Sequence, residues 1–189
     1  KDDLIRREII KDIRTYFDLD FNKFFEKYQI DHEYFKKEFK LLSVDFIDRY
    51  KKHMLRPGLK TGIVDALAFL KKNNCSQFIL SAQEQGLLNL SLNHYGITNF
   101  FAGVFGLNNN FAEGKVALAK KKLSHLSSGP VIFIGDTVHD FEVASSVGAQ
   151  CCLVSWGHNS LQRLRETKRP VVKNPGDLFS FMESLLKTP

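Results

Sequence analysis

The densest chemistry in the chain is Gly135-Asp136-Thr137-Val138-His139-Asp140, placed directly after the apolar run Val131-Ile132-Phe133-Ile134. Two carboxylates four residues apart, one at a strand end and one a turn later, can converge on a hard cation such as Mg2+, which takes oxygen ligands. The glycine is expected to allow a tight turn. The plain alternative is capping, since Asp suits a first helical turn for dipole reasons alone. A second run, Phe78-Ile79-Leu80, ends in Ser81-Ala82-Gln83. A hydroxyl followed by backbone N–H groups at a helix N-terminus would seat a phosphate, and the plain alternative is a serine N-cap. Lys115 opens a helix, where a cation opposes the dipole, so a negative partner is expected unless the side chain is simply solvated. His158, after Trp156-Gly157, is either a substrate contact or a surface-loop histidine. His139, between the two carboxylates, is expected to face away from a metal held there.

These positions require a scaffold of strand ends. After Arg56-Pro57-Gly58, short apolar runs at residues 77–80, 130–134, 151–154 and 170–172 alternate with helical segments. The helical segments are expected at residues 63–72, 85–95, 115–126, 141–147, 160–167 and 178–186. Runs that are apolar throughout suit strands covered on both faces. Their alternation with helices predicts an α/β fold, a doubly wound parallel-sheet core over residues 57–189. Ligands of such sheets bind beyond the carboxyl ends of the strands, where Ser81 and Asp136 fall. Residues 1–56 have a different texture, with no Gly or Pro and 7 of the 17 phenylalanines. Leu4, Ile5, Ile9, Ile13 and Phe17 recur at helical spacing, as do Phe35, Phe39, Leu42 and Phe46, with Asp31 as a capping residue before the second set. A small, partial α-helical cap is predicted there, its phenylalanines forming its own core.

Composition narrows the class of function. At 43% apolar the chain is too hydrophobic for disorder, and its longest apolar runs fall far short of the ~20 residues needed to cross a bilayer. No membrane association is expected. Lys+Arg 27 against Asp+Glu 21 gives +6, divided as 14 and 12 in residues 1–56 and 13 and 9 thereafter. Neither part holds the concentrated positive run of a nucleic-acid module, whereas a small phosphorylated molecule suits a mildly basic surface. Three cysteines, an odd number with Cys151 and Cys152 adjacent, do not make a disulfide framework. With no basic-then-apolar leader at Lys1, a reducing, cytoplasmic setting is expected, the cysteines acting as small core residues.

Taken in order, Ser81, Lys115, Gly135-Asp136 and Asp140 resemble the second, third and fourth motifs of the haloacid dehalogenase superfamily, within it the phosphoglycolate-phosphatase-like branch. The resemblance covers residues 54–187, and the segment before Pro57 looks like part of that branch's helical cap. It implies a Mg2+-dependent phosphatase that hydrolyses a small phosphomonoester through an aspartyl-phosphate. Ser81 with the Ala82 and Gln83 backbone would hold one phosphoryl oxygen, and Lys115 would neutralise others. Asp136 would coordinate Mg2+, with Asp140 assisting from behind it or through water. The first motif, Asp-x-Asp-Gly-Thr after an apolar strand, has no good match. Phe17-Asp18-Leu19-Asp20 mimics it, but Phe21-Asn22 follows where Gly-Thr should, and the preceding residues have helical spacing with Lys11, Asp12 and Arg14 interspersed. The nucleophile strand is therefore expected upstream of Lys1, and the chain by itself should turn over nothing. The alternative is a catalytically silent member serving as a binding or interaction module, although a retired site has no need of all four matched residues. In the cap, Lys23, Lys27 and Arg49 would suit many small anions.

Overall fold

The protein is represented by a computed structural model that describes residues 26, 29, 31, 48–108, 114–123 and 129–187. Most of the predicted cap lies outside the described residues, Asp18-Leu19-Asp20, Lys23 and Lys27 included; of its residues, 26, 29, 31 and 48–56 are described, and 48–53 are helical.

In chain order the elements are helix α1 (Ile63–Lys72), strand β1 (Phe78–Glu84), helix α2 (Gln85–His94), a 3-10 turn (Thr98–Phe100) and strand β2 (Gly103–Leu107). There follow α3 (Lys115–Leu123), β3 (Ile132–Gly135), α4 (Val138–Ser146), β4 (Gln150–Val154), α5 (Leu161–Arg165), β5 (Val171–Val172) and α6 (Pro175–Lys187). Every strand pairing is parallel, as helical crossovers demand.

β4 shows why an uninterrupted apolar run becomes a central strand. Side chains alternate between the two faces of a strand. Cys152 and Val154 pack with Ala66, Leu178 and Met182 on one side, while Cys151 and Leu153 pack with Ala144 and Leu164 on the other. Both faces are thus covered by helix from Cys151 to Val154, and only Gln150, at the exposed start of the strand, is polar. β2 was not foreseen: its two glycines, Gly103 and Gly106, disguise the apolar pattern. A Cβ at Gly106 would lie 2.8 Å from the Gln83 carbonyl oxygen, so the glycine is required by the close approach of β2 to the end of β1.

The parallel order is interrupted in one place. β1 pairs with β2, and β3-β4-β5 form a separate sheet, with no ladder joining them among the described residues. Among the described residues the parallel sheet is therefore seen in two parts. Ile134, in the middle of β3, is 41% exposed, an uncovered apolar side chain on a strand that pairs on one side. Helices hold the parts together. Leu67 of α1 joins the cluster of Leu88, Leu92 and Ile97 over β1 and β2, whereas Ile63, Ala66 and Leu70 of the same helix join the cluster over β4. α3 packs against β1, β2 and α4. No helix among the described residues is long and apolar enough to cross a membrane.

Candidate active site at the ends of beta1 and beta3

The turn after β3 is built around Asp140. Thr137 caps α4, its hydroxyl accepting from the Asp140 amide at 3.2 Å. In return Asp140 Oδ2 accepts from the Asp136 and Thr137 amides at 3.0 Å each and from the Thr137 hydroxyl at 2.8 Å. This reciprocal arrangement is a capping box, with Asp at the position usually held by Glu or Gln. The other carboxylate oxygen, Oδ1, is paired with Lys115 Nζ. Asp140 is 4% exposed, and every one of these contacts is needed, because a buried charge is tolerated only when paired and hydrogen-bonded. Lys115, set against the dipole of its own helix, has found its negative partner. Gly135 has a different reason from the expected one. It is not among the glycines with positive φ; a Cβ there would overlap the Asp140 carboxylate.

Asp136 points elsewhere. Its Oδ2 accepts the His158 amide at 2.8 Å and lies 2.6 Å from His158 Nδ1. Burial alone would push the Asp136 carboxyl up. The hydrogen bonds from the His158 ring and amide, with the charges of His158 and Lys115, outweigh that and hold it below its ordinary range. His158 responds in the opposite sense: its hydrogen bond to Asp136 raises it above the ordinary 6.5, against partial burial. The histidine is thus a partner of Asp136, a role that neither sequence alternative contained. The His139 ring lies 3.0 Å from Glu142 at the surface.

Ser81 sits on the other part of the sheet. β1 does not stop at Leu80 but continues to Glu84, and its register with β2 shifts between Leu80 and Glu84. Ser81-Ala82-Gln83 is therefore the irregular stretch of the strand, the kind of bulge that re-aims side chains near functional sites. The Ser81 hydroxyl accepts from the Gln83 amide at 3.1 Å. The N-cap of α2 is Glu84, whose carboxylate accepts from the Gly86 and Leu87 amides at 2.8 and 3.0 Å. That helix N-terminus is already closed by an internal anion. Gln83 also donates to the Tyr50 hydroxyl at 3.3 Å, bringing the helix at residues 48–53 to the end of β1.

Lys115, Asp136 and Asp140 are thus brought together, and Ser81 lies on the strand against which the Lys115 helix packs. Among the described residues no three His, Cys, Asp or Glu side chains gather closely enough to hold a metal. Asp136 supplies the ionised oxygen donor that a hard cation favours, whereas Asp140 has both oxygens engaged by donors, so among the described residues Asp136 is the carboxylate of this turn with an oxygen to offer Mg2+. Thr137 and Asn159 also belong to the site, and sequence reasoning missed both. Thr-x-x-Asp was a readable capping signal, whereas Asn159 gave none.

A profile of the family described as haloacid dehalogenase-like hydrolase matches residues 8–154. The chain belongs to the haloacid dehalogenase-like hydrolases. It is 27% identical over 134 residues to the phosphoglycolate phosphatase of Synechococcus elongatus, covering 67% of this chain and 60% of that protein. It is 24% identical over 131 residues to a tyrosine-protein kinase of Mycobacterium tuberculosis, covering 68% of this chain and 45% of the kinase. The chain spans about half the length of the curated relatives it matches. Among solved structures, a haloacid dehalogenase-like hydrolase from Streptococcus pneumoniae superposes with a TM-score of 0.71 at 19% identity, over 90% of this chain and 80% of that one. The likeness at that identity establishes a shared α/β fold.

Proposed function

We propose that this haloacid dehalogenase-like chain belongs to a Mg2+-dependent phosphatase that hydrolyses a small phosphomonoester of the phosphoglycolate kind through an aspartyl-phosphate. The observation that carries the reading is the Lys115–Asp140–Asp136 group at the carboxyl end of β3. It combines a fixed cation with an ionised carboxylate, as a phosphoryl group and a metal need them. Asp136 would hold Mg2+, with Asp140 fixing the turn behind it; bound there, the ion would neutralise charge developing on the phosphoryl oxygens. Lys115 would face the phosphoryl group from the other side of Asp140. Ser81 would donate its hydroxyl to a phosphoryl oxygen, and the Gln83 amide would exchange its bond to Ser81 for the same oxygen, beside the Ala82 amide.

The nucleophilic Asp is assigned to a strand upstream of Lys1 that would pair between the open edges of β1 and β3. Such a strand would cover Ile134 and bring its carboxylate to the ends of both neighbours, completing the metal's oxygen set. The cap of residues 1–56 would close over the leaving group. The setting is cytoplasmic and reducing, consistent with three free cysteines. The competing reading, a silent binding module, draws its support from Asp140, whose two carboxylate oxygens are both engaged by the turn and Lys115.

The test joins the upstream coding sequence to the chain and measures phosphate release from phosphoglycolate with and without Mg2+. Mg2+-dependent turnover is expected, and Asp136→Asn should lower it at least about a hundredfold while leaving the fold intact. The amide keeps the volume and would cap a helix as well as the acid does, so capping alone predicts no loss. Full activity in Asp136→Asn would overturn the assignment. An upstream sequence without Asp-x-Asp after an apolar run would favour the silent module.

A further inference from the structure

The loop that leaves β4 grips the turn that leaves β3 at several points. Asn159 is 5% exposed, and its Oδ1 accepts from the Val138 amide at 2.8 Å. Val138 is the first residue of α4, so this bond satisfies an N–H that the helix leaves without a partner. The Asn159 amide donates to the Asp136 carbonyl at 3.2 Å. One residue earlier, the His158 amide holds the Asp136 carboxylate. One further back, the α-carbon of Gly157 lies so close to that carboxylate that a Cβ would overlap it. Side chain and backbone of Asp136 are thus both fixed by three consecutive residues from a neighbouring strand end.

We propose that Gly157-His158-Asn159 is a positioning clamp for Asp136, in which Asn159 locks the turn through Val138 and Gly157 leaves the space the carboxylate occupies. The proposal rests on the reading of Asp136 as the functional carboxylate. Asn159 is a positioning residue, since it touches the Asp136 backbone and the helix start rather than any reacting group. Asp140 and Lys115 fix the turn from one side, and the clamp fixes it from the other. A rigid surround of this kind is what holds a metal ligand in one orientation.

The test uses the ¹⁵N-labelled chain, joined to its upstream segment, in three variants. Asn159→Leu removes the acceptor at similar volume, Gly157→Ala inserts a methyl into the carboxylate's space, and Asn159→Asp retains an acceptor for the Val138 amide. Gly129→Ala serves as control, because among the described residues nothing lies within 4 Å of a Cβ there. The readouts are the imidazole ¹H–¹⁵N correlation of His158, which reports the bond to Asp136, and the affinity for Mg2+ alone by calorimetry. Asn159→Leu and Gly157→Ala should each displace the His158 signal and weaken Mg2+ at least tenfold, with Asn159→Asp near the parent in the His158 signal. An unmoved His158 signal in both disruptive variants would overturn the clamp, as would, in a parent that binds Mg2+, a displaced signal with unchanged Mg2+ affinity. If the parent itself binds no Mg2+ while both variants displace the signal, the clamp stands and the functional reading of Asp136 fails. Well-dispersed amide spectra in either disruptive variant suffice for the comparison, since the two perturb different residues.

Discussion

Asp136 and Asp140 are four residues apart and have opposite fates. Asp140 is consumed by the fold: it closes the capping box, pairs Lys115 and fills the space a Gly135 side chain would take. Asp136 is held by one backbone amide and one imidazole, contacts that orient an ionised group without enclosing it. Removing the charge of Asp140 should therefore act on stability where Asp136→Asn acts on function. Asp140→Ala leaves Lys115 uncompensated and two turn amides without an acceptor, and is expected to cost about 3–5 kcal/mol, read as a lowered midpoint in urea. A midpoint within about 0.5 kcal/mol of the parent would contradict the picture of a fully engaged carboxylate. The cysteines provide a second residue-scale check. Burial, with the Asp140 charge on Cys151 and Cys151 itself on Cys152, pushes both thiols up to about 11, leaving Arg169 to oppose this weakly at Cys151. Thiolate is the reactive form, so at pH 8 the folded chain should react at Cys75 alone, with one equivalent of a disulfide reagent taken up before denaturant and three after.

Among the elements, α2 is secured by a charged cap. Hydrogen bonds from the Gly86 and Leu87 amides lower the Glu84 carboxyl from its ordinary 4.5, with a smaller contribution from Lys51 and slight burial opposing. A lowered carboxyl stabilises the fold above its ordinary value, and that contribution is lost as pH falls through the lower folded value. Glu84→Ala should then cost about 1 kcal/mol near neutrality, or roughly 2–4 °C in melting temperature for a chain of this size. The gap between variant and parent should narrow steadily below the ordinary carboxyl value. A gap that is constant down to the lowest accessible pH would mean the charge of Glu84 does not contribute. The same cap explains why the α2 N-terminus is no open anion seat: its amides already have a carboxylate.

At the scale of the molecule, the described residues form two sheet fragments held by helices. α1 buries side chains over both, and α3 reaches β1, β2 and α4. β4 is covered on both faces and paired on both sides, whereas β1 and β3 each carry an edge without a ladder among the described residues. Open, flat apolar edges invite pairing. Hydrogen exchange on the chain alone should find β4 amides protected close to the global limit and those of β1 and β3 exchanging faster on average. Adding the proposed nucleophile strand should slow β1 and β3 selectively. No change at those strands on extension would argue against a strand between them. Leu153→Ala, at the fully buried centre, should cost about 3 kcal/mol, against less than about 0.5 for Leu90→Ala on the exposed face of α2.

The order and type of most elements were legible because they rest on local signals: apolar runs, helical periodicity and turn residues. α1 falls on the expected residues, and β4 differs by one residue. The Gly-Asp-x-x-x-Asp turn and the need of Lys115 for an anion were equally readable, since both follow from short spacing and from the dipole of one helix. What the sequence left undetermined depends on approach between distant segments. β2 was hidden because Gly106 answers to the Gln83 backbone and Gly103 to Phe78 and Phe105, not to any pattern of its own. His158 and Asn159 belong to the site only because β4 lies beside β3, which brings residue 159 to residue 138 across twenty-one positions of chain. Pairing energy is local to a turn, but the choice of which turn meets which is made by the burial of Leu153 and Val154 between helices. Local chemistry named the carboxylates; the packing of parallel strands decided that one of them would hold the structure together and the other would face His158.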